Sequence, residues 1–106
     1  MPEIEALDSS SSTQKDGLNH QAIEDYLKTI YTLAEEESPV STSRIAESRE
    51  VKPGSVTSML QRLDRLNLVH YEKHYGVTLT KAGRKIALEV IRHHRLLELY
   101  LMEALG

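Results

Sequence analysis

Six polar side chains between residues 55 and 65 form a set suited to reading a nucleic acid: Ser55, Thr57, Ser58, Gln61, Arg62 and Arg65. Small hydroxyls let a backbone approach a groove closely, and Gln and Arg supply forked donors for base edges or phosphates. The set works only if one rigid element presents it on one face. A helix does so: Val56, Leu60 and Leu63, with Met59 and Leu66 close by, recur at helical period and leave the hydroxyls, amide and guanidiniums opposite. Pro53 suits the first position of that helix, because its ring pre-sets φ and its missing N–H has no partner there anyway. A merely solvated amphipathic helix shows the same period. Solvated faces usually mix signs, however, and this one is cationic apart from Asp64 at its edge.

A second set is His94 and Glu98, four residues apart and so on one face of a helix. Imidazole and carboxylate so spaced can ligate a divalent metal; a hydrogen-bonded pair is the plainer alternative. His93 falls on the apolar stripe and reads as a packed core histidine. Asp25 lies far from the apolar stripe of its own helix, and by spacing alone it is an ordinary surface carboxylate.

The elements that position these residues follow in order. A first helix is expected from Asn19, a usable N-cap, to Glu37, with Ile23, Leu27, Ile30 and Ala34 as its stripe and Tyr26 and Leu33 beside it. Glu35, Glu36 and Glu37 load its C-terminal end against the helix dipole, and Ser38 and Pro39 stop it. A short helix from Thr42 to Arg49, capped by Ser41, faces Ile45 and Ala46 inward. Its start carries Ser41, Thr42, Ser43 and Arg44, which serve either as a phosphate anchor or as a plain cap. After the Pro53 helix, residues Leu68 to Thr80 read as a hairpin, with Lys73, His74 and Tyr75 at its tip and Gly76 as a turn residue. The tip would lie along a phosphate backbone or a minor groove; a plain hairpin that completes the core is the alternative, and the two are compatible. Thr80 then caps a helix from Lys81 to Leu105, with Ile86, Val90, Leu97, Tyr100, Leu101 and Ala104 as one stripe and further apolar residues off it. Apolar residues on more than one side expect neighbours on more than one side.

The fold expected is mainly α with a small β-hairpin: a winged helix-turn-helix over 18–82, preceded by a disordered tail over 1–17 and followed by a long linking helix over 83–106. The 106 residues allow one small domain. With neither Trp nor Phe its core is modest. The formal charge of −3 is misleading. Residues 1–17 carry −3 by themselves, whereas residues 41–95 hold eleven Lys and Arg against five acids, a local balance of +6. Phosphate attraction follows the local patch. The absence of Cys excludes disulfides and thiolate metal sites here. No apolar run approaches spanning length and no signal-peptide pattern opens the chain, so a cytoplasmic protein without a membrane partner is expected. A phosphate-cradling Gly loop and a Ser–His–acid set are both missing, which argues against an enzyme.

From about Ile23 onward the chain resembles the N-terminal part of the diphtheria-toxin-repressor and manganese-transport-regulator family of metal-dependent transcriptional repressors. The resemblance is carried by EDYLKTIYTL at 24–33, SRIAESREVKPGSVTSMLQRLDRLNLV at 43–69, YGVTLTKAGRKIA at 75–87 and RHHRLLE at 92–98. It implies a homodimer in which a divalent metal locks two DNA-binding domains against a dimerisation domain, so that two recognition helices enter a palindromic operator. The regulated genes would serve metal homeostasis. It further implies Asp25, His94 and Glu98 as metal ligands. Iron-type members tend to have Met where Asp25 stands, and a carboxylate oxygen is harder than a thioether, so Mn(II) is favoured over Fe(II). Lys28 departs from the manganese-type pattern, which places a second acid there. The remaining ligands and most of the dimer interface correspond to residues beyond 106.

The DNA contacts expected are Ser41, Ser43, Arg44, Lys52, Pro53, Ser55, Thr57, Ser58, Gln61, Arg62 and Lys73. Two rival functions are a winged-helix regulator sensing a small organic ligand and a winged-helix protein–protein module.

Overall fold

The computed structural model describes residues 20–105, so the expected tail over 1–17 and the expected cap at Asn19 lie outside the described residues. Helix α1 covers 20–34. Tyr26, Leu27 and Ile30 are buried, and Ile23, Leu33 and Ala34 pack partly covered beside them. The helix ends short of Glu37. Continuing it would stack three carboxylates on the negative end of the dipole. Instead the chain turns: the Glu36 and Glu37 N–H groups both donate to the Leu33 carbonyl at 3.1 Å.

Helix α2 (Thr42–Arg49) starts at Ser41, whose Oγ accepts the Arg44 N–H at 3.1 Å. Such a cap contributes about 1 kcal/mol. Ile45 and Ala46 are its buried residues. It stops without a glycine. Glu50 adopts φ 56°, and the N–H groups of Glu50 and Val51 donate to the carbonyls of Glu47 and Ala46, which satisfies the helix end. Three residues later α3 (Pro53–Arg65) begins with Pro53 in its first turn. Val56, Leu60 and Leu63 are fully buried, each worth roughly 1.5–3 kcal/mol of burial. Asn67, at φ 63°, closes α3 in the same way, with Leu68 N–H donating to the Leu63 carbonyl at 2.9 Å.

Strands β1 (Val69–Glu72) and β2 (Gly76–Leu79) pair antiparallel, with Val69 opposite Leu79 and Tyr71 opposite Val77. Val40 exchanges two backbone hydrogen bonds with Val77, both 2.9 Å, and ties the α1–α2 connection to the hairpin. The expectation for Gly76 is corrected. It opens β2 rather than making the turn, and it is buried. Its φ is 129°, and a Cβ there would lie 2.8 Å from the Val40 carbonyl oxygen. The turn bends at His74 (φ 68°) instead, closed by Tyr75 N–H donating to the Glu72 carbonyl at 3.0 Å.

Helix α4 (Lys81–Leu105) is capped as the sequence indicates: Thr80 Oγ1 accepts the Gly83 N–H at 3.1 Å and donates to the Asn67 carbonyl at 2.9 Å. Its buried residues are Gly83 and Ala87, small side chains that let α4 lie close to the hairpin, while Ile86 and Val90 are half-covered. His93 is exposed, contrary to its reading as a core residue, because that face of α4 has left the domain core by then. Leu96, Leu97, Tyr100 and Leu101 are exposed as well. Among the described residues no helix is long and apolar enough to cross a membrane.

Candidate nucleic-acid interface and the helix junction behind it

The buried residues of α3 fix what it presents. With Val56, Leu60 and Leu63 turned inward, Ser55, Ser58, Gln61 and Arg65 are exposed, and Thr57 and Arg62 are half-exposed. Ser55, Ser58, Met59 and Arg62 line one shallow groove on this face. Lys52 and Pro53 are exposed at the N-terminal end of α3. Among its residues the first turn holds no acid and the last turn holds Arg62 and Arg65, which suits the dipole.

A second groove, of about 360 Å³, runs between the start of α2 and the hairpin. Ser41, Ser43, Thr57 and Lys73 line it together with Tyr71 and Tyr75. The fold therefore gathers four of the expected contacts from three separate elements into one concave, hydroxyl-rich surface. Arg44 stands apart from them. Its guanidinium pairs with Glu36 and with Glu37, the latter at 3.5 Å. It is an ion-paired tie between the α1–α2 connection and α2 rather than a freely offered cation.

Two polar contacts escape sequence reasoning. Asp64, the one acid on the α3 face, accepts the backbone N–H of Tyr71 at 3.0 Å and so joins α3 to β1. No helical or strand period marks a pair that spans a turn. Asp64→Ala is expected to lower unfolding free energy by about 1 kcal/mol, with Asp64→Asn, which keeps an acceptor, recovering most of it in urea titrations. An Asp64→Ala midpoint equal to wild type would show that the contact contributes nothing. Arg49 is the second. Its guanidinium lies 4.6 Å from the centre of the Tyr26 ring and its Nη1 donates to Thr29 Oγ1 at 3.4 Å. That cation holds α2 on α1 and is turned away from the interface.

The expected metal ligands lie behind this surface, where α1 meets α4. Asp25 is half-buried on α1 and accepts from Gln21 Nε2 at 3.4 Å. His94 lines a cavity of about 540 Å³ between the helices, with Gln21, Glu24, Glu89 and His93. Glu98, one turn on, is exposed. The group facing His94 is a cation: Lys28 Nζ stands 3.4 Å from His94 Nδ1. Among the described residues no three His, Asp or Glu side chains are gathered closely enough to hold an ion. Asp25, His94 and Glu98 offer donors that suit a divalent metal, but here they stand apart with Lys28 between α1 and α4.

Comparison with known proteins agrees with this architecture. Residues 20–77 match the family model for the iron dependent repressor, N-terminal DNA binding domain, and residues 80–106 match the model for the iron dependent repressor, metal binding and dimerisation domain. An HTH-type transcriptional regulator of Methanocaldococcus jannaschii is 39% identical over 87 residues, covering 81% of this chain and 70% of its own. The HTH-type transcriptional regulator MntR of Geobacillus kaustophilus is 45% identical over 80 residues, 76% of this chain and 57% of its own. Among solved structures, the manganese-activated repressor ScaR, crystallised with bound Zn²⁺, superposes with a TM-score of 0.69 at 36% identity, over 79% of this chain and 39% of its own. The chain thus spans little more than half of the MntR relative and less than half of ScaR. On the match of both domain models and the shared winged-helix architecture, the chain belongs to the iron-dependent repressor family of DNA-binding transcriptional regulators, not to an enzyme family.

Proposed function

We propose that this chain supplies the DNA-reading and part of the metal-sensing apparatus of a divalent-metal-dependent repressor of metal-homeostasis genes. The repressor would act in the cytoplasm as a homodimer on a palindromic operator. The observation that carries this reading is the α3 face, held outward by three fully buried apolar residues beside a hydroxyl-lined groove that includes the hairpin tip. Ser55, Thr57, Ser58, Gln61 and Arg62 would meet base edges and phosphates. Ser41, Ser43 and Lys73 would anchor the flanking backbone, and Lys52 and Pro53 would sit where the α3 N-terminus approaches a phosphate. Arg44 contributes only after leaving Glu36 and Glu37.

Asp25, His94 and Glu98 would hold the ion, which when bound supplies positive charge and directional bonds between α1 and α4. Mn(II) is favoured over Fe(II), because two of the three donors are hard carboxylates and because the relatives include a regulator named MntR and a manganese-activated repressor. The metal favours the DNA-competent arrangement only as far as it binds that arrangement more tightly than the free one. Asp25 on α1 and His94 on α4 meet this condition, since they can share an ion only when the two helices are held together.

Asp25→Ala tests the reading. Operator affinity in Mn(II) gel shifts should fall about tenfold or more, the size of an ordinary allosteric coupling, with melting temperature unchanged. A full Mn(II) response in this variant would remove Asp25 from the site.

A further inference from the structure

The contact between Lys28 and His94 joins residues 66 positions apart and bridges α1 to α4. An ammonium group has donors and no acceptor, so in this contact Lys28 donates and Nδ1 of His94 accepts. The lone pair that accepts this bond is one that a metal ion would need. Lys28 also lies three residues after Asp25 on α1, so the residue that reaches His94 is one helical turn from a second group assigned above to the metal.

We propose that Lys28 is a tethered internal cation that competes with the divalent metal for the α1–α4 junction and so sets the metal concentration at which the protein responds. The proposal rests on the metal-sensing reading above and goes beyond it. Without metal, Lys28 bridges the helices by one long hydrogen bond from a flexible stem. Metal must displace it from His94 and then tolerate its charge nearby. The effect is a raised threshold: the ion binds only where its bonds exceed the loss of the Lys28 contact and the repulsion of a unit charge a few ångström away. At that distance the repulsion amounts to about tenfold in affinity even at the dielectric constant of water.

The test is Mn(II) uptake by the full-length protein, followed through the loss of the aqueous Mn(II) electron-spin-resonance signal. Lys28→Met keeps the apolar stem and removes the charge and the donor. Lys28→Gln, shorter and neutral, is the second variant in case Met alters folding. Arg95→Ala removes the same charge from the residue next to His94 and serves as the control for the general field. Either Lys28 variant should bind Mn(II) about tenfold or more tightly than wild type, and Arg95→Ala should differ from wild type by less than about threefold. A second readout needs no metal: in urea titrations of the apo protein, Lys28→Met and His94→Ala should be non-additive, because each removes the same contact. Equal shifts for the Lys28 and Arg95 variants, or weaker Mn(II) binding in the Lys28 variants, would overturn the proposal while leaving the metal-sensing reading in place. If neither wild type nor the Lys28 variants take up Mn(II), the metal-sensing reading fails and this proposal with it.

Discussion

Gly83→Ala is expected to destabilise the domain by about 3 kcal/mol, the upper end of typical overpacking costs. A Cβ at this position would stand 2.0 Å from the Leu68 carbonyl oxygen and 3.0 Å from its carbon. The obstacle is backbone, and that backbone is committed: Leu68 N–H closes α3 on Leu63, and the Leu68 carbonyl accepts the Thr80 N–H at 3.1 Å. Relief requires α4 to move away from the α3–β1 connection, which breaks the Thr80 contact and the small-residue packing of Gly83 and Ala87. The better helix propensity of alanine recovers about 1 kcal/mol at most. For a domain of this size, 3 kcal/mol lowers the melting temperature by more than about 10 °C, readable by circular dichroism. A shift under about 3 °C would mean that α4 does not lie this close. The consequence extends to function, because the start of α4 sets where His94 meets α1.

Arg62→Ala is expected to reduce operator affinity about ten- to a hundredfold at fixed salt, without loss of stability. Arg62 sits mid-face on α3, half-exposed between Ser58 and Met59 in the shallow groove. The value corresponds to about 1–3 kcal/mol for a forked guanidinium contact. A salt series separates its two possible partners. If Arg62 meets a phosphate, the slope of log affinity against log salt becomes shallower by about 0.9; if it meets a base edge, the slope holds and discrimination between operator variants relaxes. Wild-type affinity for Arg62→Ala at every salt concentration would remove α3 as the reading surface.

These two residues also mark the boundary between what was legible in the chain and what was not. Arg62 belongs to a repeating pattern. Val56, Leu60 and Leu63 recur at helical spacing, so which side of α3 is buried follows from local periodicity, and the outward face follows from that. The short helix over Thr42–Arg49 and the Ser41 and Thr80 caps are equally local, since each depends on residues within one turn. Gly83 belongs to no pattern. Its value comes from a carbonyl fifteen residues earlier, brought against it by the hairpin.

The amino-acid sequence by itself therefore determined the helices, the Ser41 and Thr80 caps, the hairpin and the cationic face, because helix and strand periods and capping bonds are short-range. It also supplied the donor types of Asp25, His94 and Glu98. Only the tertiary structure decided which groups meet across distance. Arg44 turned to Glu36 and Glu37, Asp64 to the Tyr71 backbone, Gly76 to Val40, and Lys28 to His94. Each of these pairings depends on where two elements come to rest against the shared core, a position that burial of Leu27, Ile45, Leu60 and Val77 fixes and that no local spacing encodes.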